Sequence, residues 1–124
     1  MIPGIKIKIF LADDTASRMA ACRHQLLTTG YTAVFSFANA DACLKRLRLM
    51  PDLVVLPCTV KSPEAVDRLK EIRAFSRQIM VVFMGESPES TIKAAVRKTE
   101  RRKLWAKRRD AITRKILSLS GVRQ

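Results

Sequence analysis

The chain has 124 residues, 48% hydrophobic and only 6% aromatic, a length and composition that suit one aliphatic-rich domain over residues 1–124. No apolar run reaches the roughly 18 residues that span a bilayer, and the first residues lack a secretion-signal pattern, so we expect no membrane association and a cytoplasmic location. The net charge of +13 is uneven, because residues 1–92 carry 12 Lys and Arg against 9 acids, whereas residues 93–124 carry 12 against 2.

Strands and helices are predicted to alternate along the chain. Short apolar stretches rich in β-branched residues predict four strands, at residues 5–12, 33–37, 53–56 and 79–84. Amphipathic stretches with capping residues predict the helices between them, at residues 15–29, 39–49 and 62–75, with a fourth from residue 87. Gly30 stands where a left-handed residue would end the first helix, and Asn39 or Asp41 is suited to cap the second.

The basic C-terminal quarter has two interpretations. The apolar island Leu104-Trp105-Ala106 predicts a short fifth strand, after which Asp110 would cap a last helix with Ile112 and Ile116 facing the core. The same residues fit equally well inside one helix over residues 87–118. We expect the first arrangement, a flavodoxin-like (βα)5 sandwich of three layers, with a parallel five-stranded sheet whose fifth strand is short or irregular.

The third predicted strand ends on an unexpected residue. Its four apolar residues lie between Pro51 and Pro57, a pattern typical of a strand covered on both faces of a parallel sheet. Ligands and chemistry collect at the carboxyl ends of such strands. Pro57 brings neither a charge nor an N–H group to that position.

Four segments together resemble the receiver domains of two-component response regulators, and the resemblance extends over essentially the whole chain. They are IKIFLADD, GYTAVFSFANADACLKRL, PDLVVLP and AVDRLKEIRAF. In that family an Asp at the end of strand three accepts a phosphoryl group, and acids after strand one hold a divalent cation. A hydroxyl group after strand four and a Lys after strand five bind the phosphoryl oxygens, because fixed cations stabilise the charge that develops during the transfer.

The charged residues of this family site are matched, whereas its acceptor and its two switching residues are not. Asp13 and Asp14 match the acids, and Lys107 matches the Lys. The acceptor position is occupied by Pro57, which has no nucleophile, and the hydroxyl position by Met84, or by Gly85 if the alignment slips by one residue. We therefore expect a receiver-like domain that is not phosphorylated and is not an enzyme. Leu104 also replaces the aromatic residue that switches in this family.

Two interpretations of the acidic pair remain open. Asp13 and Asp14 are either a solvated turn in which Asp14 caps the first helix, which we favour, or a weak Mg²⁺ site completed by a carbonyl near Thr59. No cofactor is expected. Lys107 is expected to pair with Asp13 or Asp14. The odd number of cysteines without a CxxC spacing predicts reduced thiols, and Cys58 is interpreted as a packed loop thiol in preference to a redox centre.

The predicted functional surface is the basic segment. In the receiver family, partners and dimer mates dock on the surface formed by helix four, strand five and helix five. On this chain that surface would contain Arg97, Arg101, Arg102, Lys103, Trp105, Arg108 and Arg109. An acidic protein surface, with a homodimer mate as one possibility, is the first choice of partner, nucleic acid the second, and a solvated face without a partner the third. The sequence leaves the partner, the pathway and the oligomeric state open, as well as whether the chain is part of a longer regulator.

Overall fold

The centre of the fold is a parallel sheet that has four strands in the described part of the chain. The computed structural model describes residues 2, 4–58, 61–84 and 88–119. The strands are β1 (Ile9–Ala12), β2 (Val34–Phe37), β3 (Leu53–Leu56) and β4 (Met80–Phe83), in the spatial order β2-β1-β3-β4. All residues of the two central strands, β1 and β3, are buried, as expected for strands covered on both faces.

Helices cover both faces of this sheet. They are α1 (Ala16–Thr28), α2 (Ala40–Leu44), α3 (Pro63–Phe75) and α4 (Pro88–Leu119), with a short 3-10 turn at Leu47–Leu49. Because side chains alternate along a strand, Ile9 and Leu11 pack with residues of α1 and α4, whereas Phe10 and Ala12 pack with residues of α2 and α3. The sequence therefore produces two hydrophobic layers, one on each side of the sheet.

Several local predictions are confirmed. β3 has the predicted bounds, and α3 begins at Pro63 after Ser62, whose hydroxyl accepts a hydrogen bond from the Ala65 amide at 3.2 Å. Asn39 caps α2 by accepting from the Ala42 amide at 2.8 Å. Gly30 follows α1 with a φ of +107°, which is readily reached only without a Cβ.

Two elements are shorter than predicted. β1 begins at Ile9, although Ile5 and Ile7 before it are buried. α2 ends at Leu44, and the 3-10 turn that follows ends at Met50, which has a φ of +55°. Met50 precedes Pro51, and a proline disfavours the helical conformation in the residue before it.

The predicted fifth strand is wrong, and the single-helix interpretation is confirmed in its place. Residues 103–107 lie inside α4, which runs from Pro88 to Leu119, and Asp110 lies within this helix instead of capping a new one. Between residues 89 and 119 there is no Gly or Pro, and Lys, Arg, Ala, Glu and Leu dominate. These residues favour helix, and nothing in the segment provides a stop signal. Ile112 and Ile116, predicted to face the core, are exposed.

Candidate functional site

The carboxyl edge of the sheet carries a buried ion pair. Asp13 follows β1 and is 1% exposed. The side chain of Arg18, one turn into α1, donates from Nε to Asp13 Oδ2 at 2.6 Å and from a terminal nitrogen to Asp13 Oδ1 at 2.9 Å. The Thr15 amide donates to the same Oδ1 at 2.9 Å. A planar guanidinium group thus binds both oxygens of the carboxylate.

This arrangement balances the charge of Asp13 without a metal. Burial alone would raise the pKa of Asp13, but the Arg18 hydrogen bonds, the Thr15 amide and the Arg18 charge together lower it below its ordinary value. Asp14 is exposed, and Thr15, not Asp14, is the N-cap residue of α1. No group of three or more potential metal-binding side chains occurs among the residues that the structure describes. The carbonyl near Thr59 that would complete a Mg²⁺ site lies outside them.

The residues that follow β3 and β4 at this edge, Pro57 and Met84, are apolar. Pro57 directly follows β3 and is half-buried. Met84 follows β4, donates its amide to the Leu56 carbonyl at 2.8 Å, and packs in the hydrophobic layer under α1 and α4. Gly85, its alternative in the alignment, lies outside the described residues. Burial raises the pKa of the neighbouring Cys58 thiol, which disfavours its reactive thiolate form.

Lys107 lies at the opposite edge of the sheet from Asp13. α4 packs against the sheet while running back towards the amino ends of the strands, where Lys103 pairs with Asp52 at 3.1 Å. Asp52 directly precedes β3. Lys107 is one turn further along the helix and exposed. The predicted pairing of Lys107 with Asp13 is therefore not formed, because continued helix carries Lys107 away from the edge that a fifth strand would have brought it to.

Hydrogen bonds and an ion pair made by Glu100 and Lys103 fasten α4 at the amino edge. Glu100 is 2% exposed, and its carboxylate accepts hydrogen bonds from the Tyr31 hydroxyl and, at 2.7 Å, from the Ile2 amide. Burial, together with the hydrogen bond to Glu100 and its charge, raises the pKa of Tyr31 above its ordinary value. Lys103 reaches the Lys6 carbonyl as well as Asp52. The sequence analysis found none of these partners, since the residues are far apart in the chain.

After Glu100, α4 contacts the body less closely, through the ion pair of Lys103 and through half-buried Leu104, which packs against the hydrophobic core. Ile92, Ala95, Val96, Thr99 and Glu100 are buried, whereas no residue from 101 to 118 is buried. We call residues 101–119 the overhang. At 1.5 Å per residue it is about 27 Å long. It carries eight Lys and Arg and one acid, Asp110, so its field is strongly positive.

The overhang has an apolar seam on its outer side. Trp105, Ile112 and Ile116 are 69%, 55% and 58% exposed. At 100° per residue, these three side chains fall within a sector of roughly 40°. The buried residues of α4 lie on a different face, centred roughly 140° away. The seam therefore lies apart from the buried face of α4 and is open to another molecule.

Arginines border this seam on both sides. By the same helical spacing, Arg101 and Arg108 lie along one border, and Arg102 and Arg109 along the other. On the side of the second border is an open groove of about 820 Å³, which Trp105 and Ile112 of the seam line together with Asp52 and Gln78 of the body. The exposed surface of the overhang is therefore a row of apolar side chains with arginines on both sides.

Some of the predicted partner residues are available on the surface of α4, and one is bound to the body of the protein. Arg101, Arg102, Trp105, Arg108 and Arg109 lie on or beside the seam, and Arg97 is exposed one turn before it. Lys103 is engaged with the body through Asp52. Ile112 and Ile116 were not predicted as partner residues, because they were expected to face the core. The signal for them was the i, i+7, i+11 spacing with Trp105, which becomes visible once the helix is continuous.

Comparisons with known proteins give no family for this chain, since no protein-family model and no curated protein matches it. None of the helices within the described ranges combines the length and apolar character needed to cross a membrane.

Proposed function

We propose that this chain is a receiver-like signalling domain that is not phosphorylated and acts through protein contacts made by the basic surface of α4. The strand order β2-β1-β3-β4 is compatible with a flavodoxin-like sheet that lacks its last strand. Cys22, Cys43 and Cys58 form no disulfide bond, which supports a reducing compartment such as the cytoplasm.

The residues at the carboxyl edge of the sheet support the proposal that phosphorylation does not regulate this domain. A receiver site needs an acceptor oxygen on β3 and a cation beside it. Pro57 supplies no acceptor, and Arg18 already neutralises Asp13. The edge is consequently a structural part of the fold.

The observation that carries the proposal is the exposure of the overhang. None of residues 101–118 is buried, eight of these side chains are cationic, and Trp105, Ile112 and Ile116 are exposed. Exposed apolar residues rimmed by charged ones are typical of an interaction site. Trp and Arg are also the side chains that dominate binding energy at protein interfaces. An acidic protein surface is thus the partner class that fits this helix best.

A test of this surface compares two variants with equal charge change. In Arg101/Arg102/Arg108→Glu the reversed charges lie on the overhang, and in Arg46/Arg48/Arg77→Glu they lie on exposed positions of the body. We expect the wild type and the body variant to retain the same proteins in quantitative capture experiments, and the overhang variant to lose them. Equal loss from both variants would show that net charge alone is responsible.

A second prediction concerns phosphorylation. Incubation with acetyl phosphate and Mg²⁺ is expected to leave the intact mass unchanged, because Pro57 offers no oxygen nucleophile. Mass spectrometry checks this, with a receiver domain that keeps its acceptor Asp as the positive control. A phosphoryl adduct mapped beside Pro57 would contradict the proposal.

A nucleic-acid adaptor is the second candidate, favoured by the ratio of eight cationic residues to one acid on the overhang. Binding to duplex DNA would then weaken with salt, with a logarithmic slope of about −0.9 for each phosphate contacted. Absence of DNA retardation at about 50 mM salt, where phosphate contacts are strong, rejects this candidate.

A further inference from the structure

The width of the apolar seam limits what can cover it. Trp105, Ile112 and Ile116 form a single line about 17 Å long, roughly three helical turns. A helix that lies in a membrane interface needs a much broader apolar sector, at least about 100° wide. A line of this width instead matches the contact made by one neighbouring helix, as in a coiled coil.

The charges beside the seam decide which helix fits. All four bordering residues, Arg101, Arg102, Arg108 and Arg109, are cationic. A second copy of this chain would bring the same arginines against them, and like charges at these positions oppose pairing. A helix with Glu or Asp on both sides of its apolar line would meet each arginine with a carboxylate, and arginine binds carboxylates through two parallel hydrogen bonds.

We propose that the seam binds an acidic amphipathic helix of a partner protein, which lies alongside the overhang over about 18 residues. This inference rests on the proposed function, and it adds the secondary structure, the charge and the register of the ligand. Trp105, Ile112 and Ile116 pack against the apolar line of the partner, and the bordering arginines hold its carboxylates.

Nucleic acid fits the same surface less well. Phosphate groups are bound by cationic and polar side chains, but the centre of this face is apolar and only its borders are charged. Trp105 is the only tryptophan of the chain, and the two isoleucines offer no ring for base stacking. The arrangement therefore favours a protein ligand over a nucleic acid.

The test uses a synthetic acidic peptide of three heptads, with Leu and Ile in the apolar line and Glu on both sides, without Trp. Binding is expected to shift the emission of Trp105 to shorter wavelength and to raise the helical circular dichroism signal beyond the sum of the components. Peptide anisotropy gives the affinity. A peptide of identical composition with scrambled apolar spacing is the control, and it is expected not to bind.

Three double variants locate the contact. Ile112→Ala with Ile116→Ala keeps helix propensity but removes the seam, and it is expected to weaken peptide binding at least about tenfold. Arg101/Arg108→Glu is expected to abolish binding. Lys107/Arg114→Glu reverses two charges on the opposite side of the same helix and is expected to stay within about threefold of the wild type, since exposed charges at a distance are screened.

Several results would overturn the inference. The first is that the scrambled peptide binds as tightly as the designed one, and the second is that the two charge-reversal variants weaken binding equally. The third is that the peptide does not bind, whereas duplex DNA or anionic phosphatidylserine vesicles bind in a way that depends on Ile112 and Ile116. Failure of the peptide together with loss of native partners in the overhang variant rejects the acidic helix and leaves the proposed function standing. Retention of those partners by the overhang variant rejects the proposed function itself.

Discussion

Arg18→Ala is expected to lower the free energy of unfolding by about 3 kcal/mol at neutral pH, because it leaves the buried Asp13 carboxylate without its cation. Asp13 has no exposed side-chain surface, whereas Arg18 is 40% exposed. The two partners should therefore be unequal. Asp13→Asn leaves an arginine that water can solvate, and the expected cost is about 1 kcal/mol. Urea unfolding of both variants measures the difference.

The double variant Arg18→Ala/Asp13→Asn tests whether the larger cost of Arg18→Ala comes from the unpaired charge of Asp13. Removing the charge of Asp13 should recover most of the stability that Arg18→Ala loses, because the Thr15 amide retains an acceptor at position 13. Similar costs for Arg18→Ala and Asp13→Asn, without recovery in the double variant, would mean that the pair contributes by packing and not by charge.

The effect of Arg18→Ala also depends on pH. In the wild type the pKa of Asp13 is lowered, so its stabilisation is present above the ordinary pKa of an aspartate and is lost as the pH falls through the lowered value. Without Arg18, burial is expected to raise the pKa of Asp13. Protonation of Asp13 at lower pH then removes its unpaired charge and restores stability to the variant. The gap between wild type and variant should accordingly narrow from pH 7 to about pH 4.

Glu100→Ala is the second variant with a large expected effect, again about 3 kcal/mol lost from the free energy of unfolding. It leaves the Tyr31 hydroxyl and the Ile2 amide without their acceptor, and each buried unpaired donor costs about 1 to 3 kcal/mol. Thermal or urea unfolding checks the value. Arg101→Ala, at the exposed neighbouring position, is the matched control and should change stability by no more than about 0.5 kcal/mol.

Tyr31→Phe separates the two halves of this contact. It removes only the hydroxyl donor and leaves Glu100 bound to the Ile2 amide. We expect it to cost less than Glu100→Ala, with an intermediate loss of about 1 kcal/mol. If Glu100→Ala and Arg101→Ala prove equally mild, the carboxylate does not anchor α4.

The parts of the fold that sequence predicts well are those with local signals. β3 lies between two prolines, and α3 follows Ser62-Pro63-Glu64, which places a cap, a favourable first residue and an acid next to each other. Such signals act within a few residues, so a single sequence is enough to recognise them. The turn after β1 was predicted at the correct place, but the solvated acidic turn capped by Asp14 was not, since Asp13 is buried and Thr15 is the N-cap residue.

The parts that sequence did not predict depend on distant contacts. The position of α4 on the sheet is fixed by Glu100 bonding Tyr31 and Lys103 bonding Asp52, pairs separated by 69 and 51 residues. The Arg18–Asp13 pair was not predicted although its residues are only five apart, because an acidic pair after a strand also matches a metal site. An arginine in the first turn of a helix that follows a buried acid is the signal to look for.

The anchoring contacts of α4 lie far from its carboxyl end. Glu100 and Lys103 fix the helix to the body, and the helix extends about 24 Å from Lys103 to Leu119. A tilt of about 10° at these contacts would move the far end of the helix sideways by roughly 4 Å. A small rearrangement of the hydrogen bonds of Glu100 is therefore expected to move the exposed end of α4 much further than its anchored part.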